Sequence, residues 1–394
     1  MPASPLLRPL DIRPTLHQGR PSLLLRDPLD LSDHTLVVPQ ALGPALALCD
    51  GQHPPARLTA RLRIDYGLRI DQAAVDTLIA ALDQACFLHN ERSALALADA
   101  LSAYRQAPFR PPTIAGSGYP ADPAELQVEF DAWLEAAGPV VPMPASGKAL
   151  ISPHIDYARG HKVYAQVWKR AAEMAQAAEI VIVFGTDHFG GLNPLTLTRQ
   201  NYATPYGILP TDQEAVETLA TAIGNEAAFA GELYHRREHS IELVLVWLHH
   251  MRRGRPVAVV PILTGSYQHL DGSPTPVLAA LRQVAHGRRA LVVASGDLAH
   301  VGPVFGGEAV GLIERAALRA HDDDLIAHLS AGDAEAMLGF IRNLEDRNNV
   351  CGVTPFYLML KLVGSVEGQR AGYAVCPADE RNTSVVSVCG MVFG

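Results

Sequence analysis

The sequence predicts an α/β protein with a central sheet flanked by helices in its C-terminal part and a small α+β module before it. Two observations carry this. From Lys148 onward, apolar strand-like runs alternate with helix-like segments, the pattern of a sheet covered by helices on both faces. Three of those runs also end on a histidine: Ala149-Leu150-Ile151-Ser152-Pro153-His154, Ile180 through Gly185-Thr186-Asp187-His188, and Ala290 through Ser295-Gly296-Asp297-Leu298-Ala299-His300. Short apolar runs without alternation suit parallel strands buried on both faces. In open α/β sheets, ligands bind in the crevice outside the carboxyl ends of the strands. Three endings of one kind imply a shared site.

Composition narrows the function classes. The 394-residue chain is 48% hydrophobic and 19% charged, with a formal net charge of −9. A negative balance argues against a nucleic-acid surface as the main business. No run reaches the ~18 apolar residues of a membrane span, so no membrane association is expected. The N-terminus has no basic stretch leading into a long apolar one, so no signal peptide is expected. Cys49, Cys86, Cys351, Cys376 and Cys389 are odd in number and form no CxxC, which suits reduced thiols in a cytoplasmic protein.

Taken in order, residues 1–22 are rich in proline, arginine and leucine and read as an irregular arm. Residues 23–90 read as a compact module. Leu36-Val37-Val38-Pro39 is a strand, and helices follow over Gln40–Cys49, Thr59–Tyr66 and Asp71–Ala85. The third carries Val75, Leu78, Ile79 and Leu82 at helical spacing, and Phe87-Leu88 closes the module as a short strand. Three short helices with small strands suggest a winged-helix shape. Acids, not base-reading Arg or Asn, stand on the third helix, so it is not expected to read DNA. Residues 91–114 read as a connector, a helix over Glu91–Gln106 followed by the stiff Ala107-Pro108-Phe109-Arg110-Pro111-Pro112. Residues 115–394 form the α/β domain. Its helices are expected at Val163–Ala178, Gln213–Ile223, His239–Met251, Pro274–Ala285, within Glu308–Ile341 and at Pro355–Val363. A further strand is expected over Val257–Leu263, and Tyr373–Val375 and Ser384–Phe393 close the sheet.

The chemistry-bearing candidates are His154, His188, Asp297 and His300 at strand ends, with Glu238-His239-Ser240-Ile241-Glu242 and Cys351. Imidazole combined with thiolate or carboxylate suits zinc, iron or copper. Asp156 and Asp187, next to the first two histidines, are either acids supporting ligand rings or solvated loop acids. Isolated histidines are more often core or surface residues than ligands, and a lone Cys351 is usually a small buried hydrophobe. Glu238, His239 and Glu242 read as capping and anchoring a helix beside the site. His161 and His249-His250 read as surface residues.

Several segments resemble the MEMO family, also called AmmeMemoRadiSam system protein B: Gly116-Ser117-Gly118-Tyr119-Pro120-Ala121-Asp122, Ser152-Pro153-His154-Ile155-Asp156-Tyr157, Gly185-Thr186-Asp187-His188, Thr204-Pro205-Tyr206-Gly207, Glu238-His239-Ser240-Ile241-Glu242, Ser295-Gly296-Asp297-Leu298-Ala299-His300 and Val350-Cys351-Gly352. They occur in the family's order. The resemblance implies a fold similar to class III extradiol dioxygenases, which use non-haem iron(II). It implies one iron(II) or copper per chain held by His154, His188 and Cys351, no nucleotide cofactor, and His300 with Asp297 as acid–base group and its orienter. Asp156, Asp187, His239 and Glu242 would support the ligands. The chain departs from the family at Ile155-Asp156, at Phe189 where a second histidine is usual, and at Ala299 where a cysteine is common; none removes an expected ligand. Separately, Val38-Pro39, Leu48-Cys49-Asp50-Gly51, Leu78–Asp83 and Phe87-Leu88 resemble PqqD-like peptide-recognition modules.

The resemblance therefore implies a metal-dependent redox enzyme, dioxygenase-like, working with a radical-SAM protein and other AmmeMemoRadiSam components. The alternative is a non-catalytic adaptor that binds metal and, through its N-terminal module, a peptide. A metal-dependent hydrolase would call for carboxylate-rich ligands and a second metal, which this His, His and Cys set does not favour. An open coordination position separates enzyme from adaptor.

Overall fold

The structure, a computed structural model, describes residues 4–189, 194–269 and 275–394. The chain divides into two compact units, one up to Gln106 and one from Ala107 onward.

The first unit opens with a three-stranded antiparallel sheet, β1 (Asp11–His17), β2 (Arg20–Arg26) and β3 (Leu36–Pro39), paired in that order. All of β1 and the start of β2 lie where an irregular arm was expected. The reason is local. Gln18 and Gly19 both adopt positive φ, at 51° and 73°, which is the two-residue turn whose twist matches a hairpin. Pro14 is accommodated because β1 is an edge strand and needs no ladder donor there. Helices α1 (Gly43–Ala47), α2 (Pro55–Tyr66), α3 (Gln72–Gln84) and α4 (Glu91–Gln106) follow. Leu25, Val38, Leu58, Leu62, Val75, Leu78, Leu82 and Phe87 form the core of this unit. Phe87-Leu88 adds no strand to the sheet; Leu88 makes an isolated bridge to Leu7. Arg8 is buried and ion-paired with Asp27 at 2.9 Å. Helix α4 falls within this unit.

The second unit contains, in chain order, α5 (Pro123–Ala136), β4 (Ala149–Ser152), α6 (Tyr157–Arg170), α7 (Ala172–Ala177), β5 (Ile180–Thr186), β6 (Leu195–Leu197), β7 (Tyr202–Thr204), β8 (Gly207–Leu209), α8 (Gln213–Ile223), α9 (Asn225–Phe229), α10 (His239–Met251), β9 (Ala258–Thr264), α11 (Thr275–Ala285), β10 (Ala290–Ser295), β11 (His300–Val301), α12 (Leu312–Ser330), α13 (Ala334–Asn343), α14 (Val353–Val363), β12 (Gly368–Pro377) and β13 (Val385–Phe393). The mixed sheet runs β11-β13-β4-β10-β5-β9-β6, with β12 added on β13. Strands β4, β10, β5 and β9 are mutually parallel; β13 and β6 flank them antiparallel.

Both faces of the sheet are covered, and side-chain alternation shows how. On β5, Ile180, Ile182 and Phe184 point into a core shared with α8, α11, α13 and α14. Val181 and Val183 point into the opposite core, with α5, α6 and α10. A strand apolar at every position is what two covered faces require. No helix of the described residues is long and apolar enough to cross a membrane.

Candidate metal centre

The three histidine-ending strands lie side by side. Strand β10 sits between β4 and β5, with Ser295 level with both Ser152 and Gly185. Parallel pairing in that register brings His154, His188 and the Gly296–His300 segment to one edge of the sheet. Cys351 reaches the same edge from the turn before α14. Two glycines permit its approach. A Cβ on Gly296 would lie 2.5 Å from the Gly352 Cα, and one on Gly352 would lie 2.9 Å from the Asp297 carbonyl oxygen. The Gly352 N–H donates to that carbonyl at 3.1 Å. The Thr186 hydroxyl lies within 3.3 Å of the Ser295 carbonyl and 3.2 Å of that of Cys351, tying β5, β10 and the cysteine turn together.

Hydrogen bonds fix which nitrogen of each ring faces the site. The Ser295 hydroxyl donates to the Ser240 carbonyl at 2.6 Å, so its oxygen is left to accept from His154 Nδ1 at 3.4 Å. His188 Nδ1 faces Glu238 Oε1 at 3.0 Å. His300 Nδ1 lies against the carbonyls of Leu298 and Asn349, at 3.3 and 3.2 Å, and must carry its proton. Each ring thus turns Nε2 toward the cluster, the arrangement expected of metal-binding histidines. His154 Nε2 is 3.2 Å from Cys351 Sγ. The ligand atoms of His154, His188 and Cys351 all lie within 4.8 Å of one another, as do those of Asp297, His300 and Cys351. These groups could hold a metal ion, and two imidazoles with a thiol make a soft donor set.

A third grouping, His188, Glu238 and His239, has ligand atoms equally close. Its geometry is different. The two rings stack at 14° with centroids 4.8 Å apart, and both Nδ1 atoms address Oε1 of Glu238, at 3.0 and 3.2 Å. That is two donors sharing one acceptor. An ion bound by both imidazoles would have to lie in both ring planes.

Electrostatics divide the site: His154 and His300 are held neutral, whereas the buried Glu238 carboxylate favours a charged ring at His188. Burial, reinforced by neighbouring imidazoles, holds His154 well below its ordinary pKa. Burial also lowers His300, against the pull of Asp297. Glu238 is fully buried, which alone would raise its carboxyl, but His188 and His239 outweigh this and hold it well below the usual range. His188 is raised correspondingly, Glu238 overcoming burial. Asp297 is raised by burial, opposed by His300 and by the N–H groups of His154 and Ile155. The Cys351 thiol is raised by burial, so a thiolate there needs a bound cation to stabilise it.

The other expected residues fall in different places. Asp297 Oδ1 accepts from the N–H groups of His154 and Ile155, at 2.9 and 3.2 Å; the His300 ring is oriented by main-chain carbonyls, not by Asp297. Asp156 caps α6 and pairs with Arg159. Asp187 accepts from the Phe189 N–H. Glu242 does not touch the cluster. It is buried in an ion pair with Arg110 and accepts from Tyr119 Oη at 2.6 Å and from the N–H groups of Thr113 and Ile114. The supposed linker residue Arg110 is therefore a core residue. His249 and His250 are buried, not on the surface: His249 Nδ1 is 2.7 Å from the Thr204 hydroxyl, and His250 pairs with Asp131 at 3.3 Å. Glu238, expected only to cap a helix beside the site, bonds the His188 and His239 rings as well, and Ser295 is the residue missed as a site member. The available signal was an acid at a helix N-cap next to a histidine, and a strand ending in serine instead of an apolar residue.

A family model described as Memo-like protein matches residues 110–392. A "MEMO1 family protein" of Aquifex aeolicus is 25% identical over 384 residues, covering 94% of this chain and 95% of that protein. A "MEMO1 family protein" of Methanosarcina acetivorans is 29% identical over 264 residues, 67% of this chain and 89% of that one. "Protein memo-1 homolog" of Caenorhabditis elegans is 28% identical over 267 residues, 63% and 69% respectively. The Aquifex match extends through the N-terminal unit as well.

Proposed function

The chain belongs to the Memo-like protein family, and from that premise we propose that it is a metal-dependent oxidoreductase, similar to class III extradiol dioxygenases, holding one iron or copper ion on His154, His188 and Cys351. The observation that carries this is the convergence of two imidazole nitrogens and one thiol within 4.8 Å, each ring turned so that Nε2 faces the cluster. The donor set fits the ion. It is too soft for magnesium or calcium and suits iron(II) or copper(I).

When bound, such an ion supplies one-electron chemistry with dioxygen. The protein's own groups do the rest. His154 enters neutral and needs no deprotonation to bind. Cys351 and His188 would each have to release a proton, from the thiol and from Nε2, to the solvent on the open side of the cluster. His300, with Nδ1 held by two carbonyls, faces the site with Nε2 and moves a proton to or from substrate there. Asp297, buried, supplies the negative charge that favours an imidazolium at His300 while it builds. The His188 side chain is 31% exposed and Cys351 is half-buried, so one side of the cluster opens to solvent. That openness favours the enzyme over a closed metal-binding adaptor. The reading extends to a radical-SAM partner and to a peptide on the N-terminal unit.

The test is elemental analysis of anaerobically purified protein beside His154→Ala and Cys351→Ala, followed by exposure of the loaded protein to dioxygen. About one iron or copper per chain, lost in both variants and oxidised by dioxygen, is expected. Metal indifferent to both substitutions, or none, would refute the site. Stoichiometric metal inert to dioxygen would leave the adaptor.

A further inference from the structure

We propose that Glu238 is the positioning residue of this centre: its buried carboxylate locks the His188 ring with Nε2 as the ligand atom. The inference rests on the metal reading above and adds a residue to it.

Glu238 does more than cap a helix. An N-cap needs one acceptor for the first turn, and the Ser240 N–H supplies that bond at 2.9 Å. A shorter Ser, Thr or Asp would suffice. Glu238 instead takes three further donors, all from candidate site residues: the His188 N–H on Oε2 at 2.9 Å, and the Nδ1 atoms of His188 and His239 on Oε1 at 3.0 and 3.2 Å. Its side chain is 0% exposed. A carboxylate is kept in such a place only when hydrogen bonds replace its hydration. His188 is bound twice, through main chain and ring, so neither its position nor its ring flip is free. Turning the ring over would put a C–H against Oε1 and forfeit the charge-assisted bond.

The main chain of Glu238 is itself held from behind. The Glu238 carbonyl accepts from Arg110 Nη2 at 2.8 Å, and Arg110 Nε donates to the His235 carbonyl at 2.9 Å. The guanidinium is fully buried and ion-paired with Glu242. A chain of fixed contacts therefore runs from the start of this unit to the ligand ring. Carboxylates in this relation to a ligating histidine are worth roughly 10- to 100-fold in metal affinity.

The experiment titrates the metal-free full chain with cobalt(II), following the thiolate-to-cobalt band and bound cobalt, in wild type and Glu238→Gln. The wild-type His188 ring is also read by nitrogen-15 NMR without metal. Expected are a proton on Nδ1 of His188 in the wild type, and in Glu238→Gln a dissociation constant raised roughly 10- to 100-fold with unchanged stoichiometry and thiolate band. Affinity within about twofold of wild type would overturn this inference and leave the metal site standing. A lost cobalt equivalent with the band gone would make Glu238 a ligand, which also overturns it. Wild-type protein that takes up no cobalt would sink the metal reading itself. If Glu238→Gln does not fold, the wild-type NMR decides: His188 protonated on Nε2 alone refutes the proposal.

Discussion

Replacing Arg110 by methionine removes the counter-charge of a carboxylate that has no access to water. Both side chains of the Arg110–Glu242 pair are 0% exposed. Glu242 would keep the Tyr119 hydroxyl at 2.6 Å and the Thr113 and Ile114 N–H groups at 2.8 and 3.1 Å, but these are neutral donors. Stripping one partner from a buried pair costs about 3–5 kcal/mol, which for a unit of this size is a fall in Tm on the order of 10 °C. The sign with pH follows. Burial raises the Glu242 carboxyl, but Arg110 outweighs it and the folded value is depressed. A depressed carboxyl contributes stability above its unfolded pKa and loses it as pH falls through the folded value. The gap between wild type and Arg110→Met should therefore narrow in acid. Denaturant unfolding at several pH values reads both effects, and Arg110→Met/Glu242→Gln should lose less than the sum of the singles. A single-variant cost under about 1 kcal/mol, set against the 3–5 expected, or strict additivity, would refute the reasoning.

Other predictions follow the same contacts. Gly296→Ala would push a methyl to within 2.5 Å of the Gly352 Cα, backbone against backbone, so it should displace the Cys351 turn, cost about 1–3 kcal/mol by overpacking and weaken metal binding; a variant with wild-type stability and metal uptake would contradict it. Asp322 is buried against Tyr373 Oη at 2.8 Å, and burial pushes its carboxyl up to about 6. A raised carboxyl favours folding only while protonated, so wild-type stability should fall between about pH 4 and 6, by up to about 3 kcal/mol. Asp322→Asn should abolish that loss, and a parallel pH profile in the two proteins would sink the assignment. His300→Asn should leave metal stoichiometry near wild type while abolishing proton transfer, whereas loss of the metal would make His300 a ligand.

The parallel sheet was legible because its strands are apolar nearly throughout, and because the apolar run of each ends on a polar residue, Ser152, Thr186, Thr264 or Ser295. The long amphipathic helices were legible for the converse reason, a regular apolar stripe. The N-terminal hairpin was not, since Pro14 and Pro21 suppress the strand signal and the turn rests on Gln18 adopting a left-handed φ of 51°. Short strands such as Leu195–Leu197 and His300–Val301 carry too few residues to show a period. At the site, residue types at strand ends pointed to His154, His188, Asp297 and His300, but sequence cannot show which acid meets which ring. Asp156 and Asp187 are adjacent in the chain and turn to their own loops, while Glu238, fifty residues from His188, makes the bond. Arg110 looked like part of a linker because prolines surround it; its burial is a long-range contact with α10 that no local pattern announces.

The most direct test of the account is X-ray absorption at the edge of the bound metal, in wild type and Cys351→Ser. One sulfur near ~2.3 Å with nitrogen scatterers at ~2.0–2.1 Å, the sulfur vanishing in the variant, is the predicted result. A shell of oxygen and nitrogen alone, unchanged by the substitution, would contradict it.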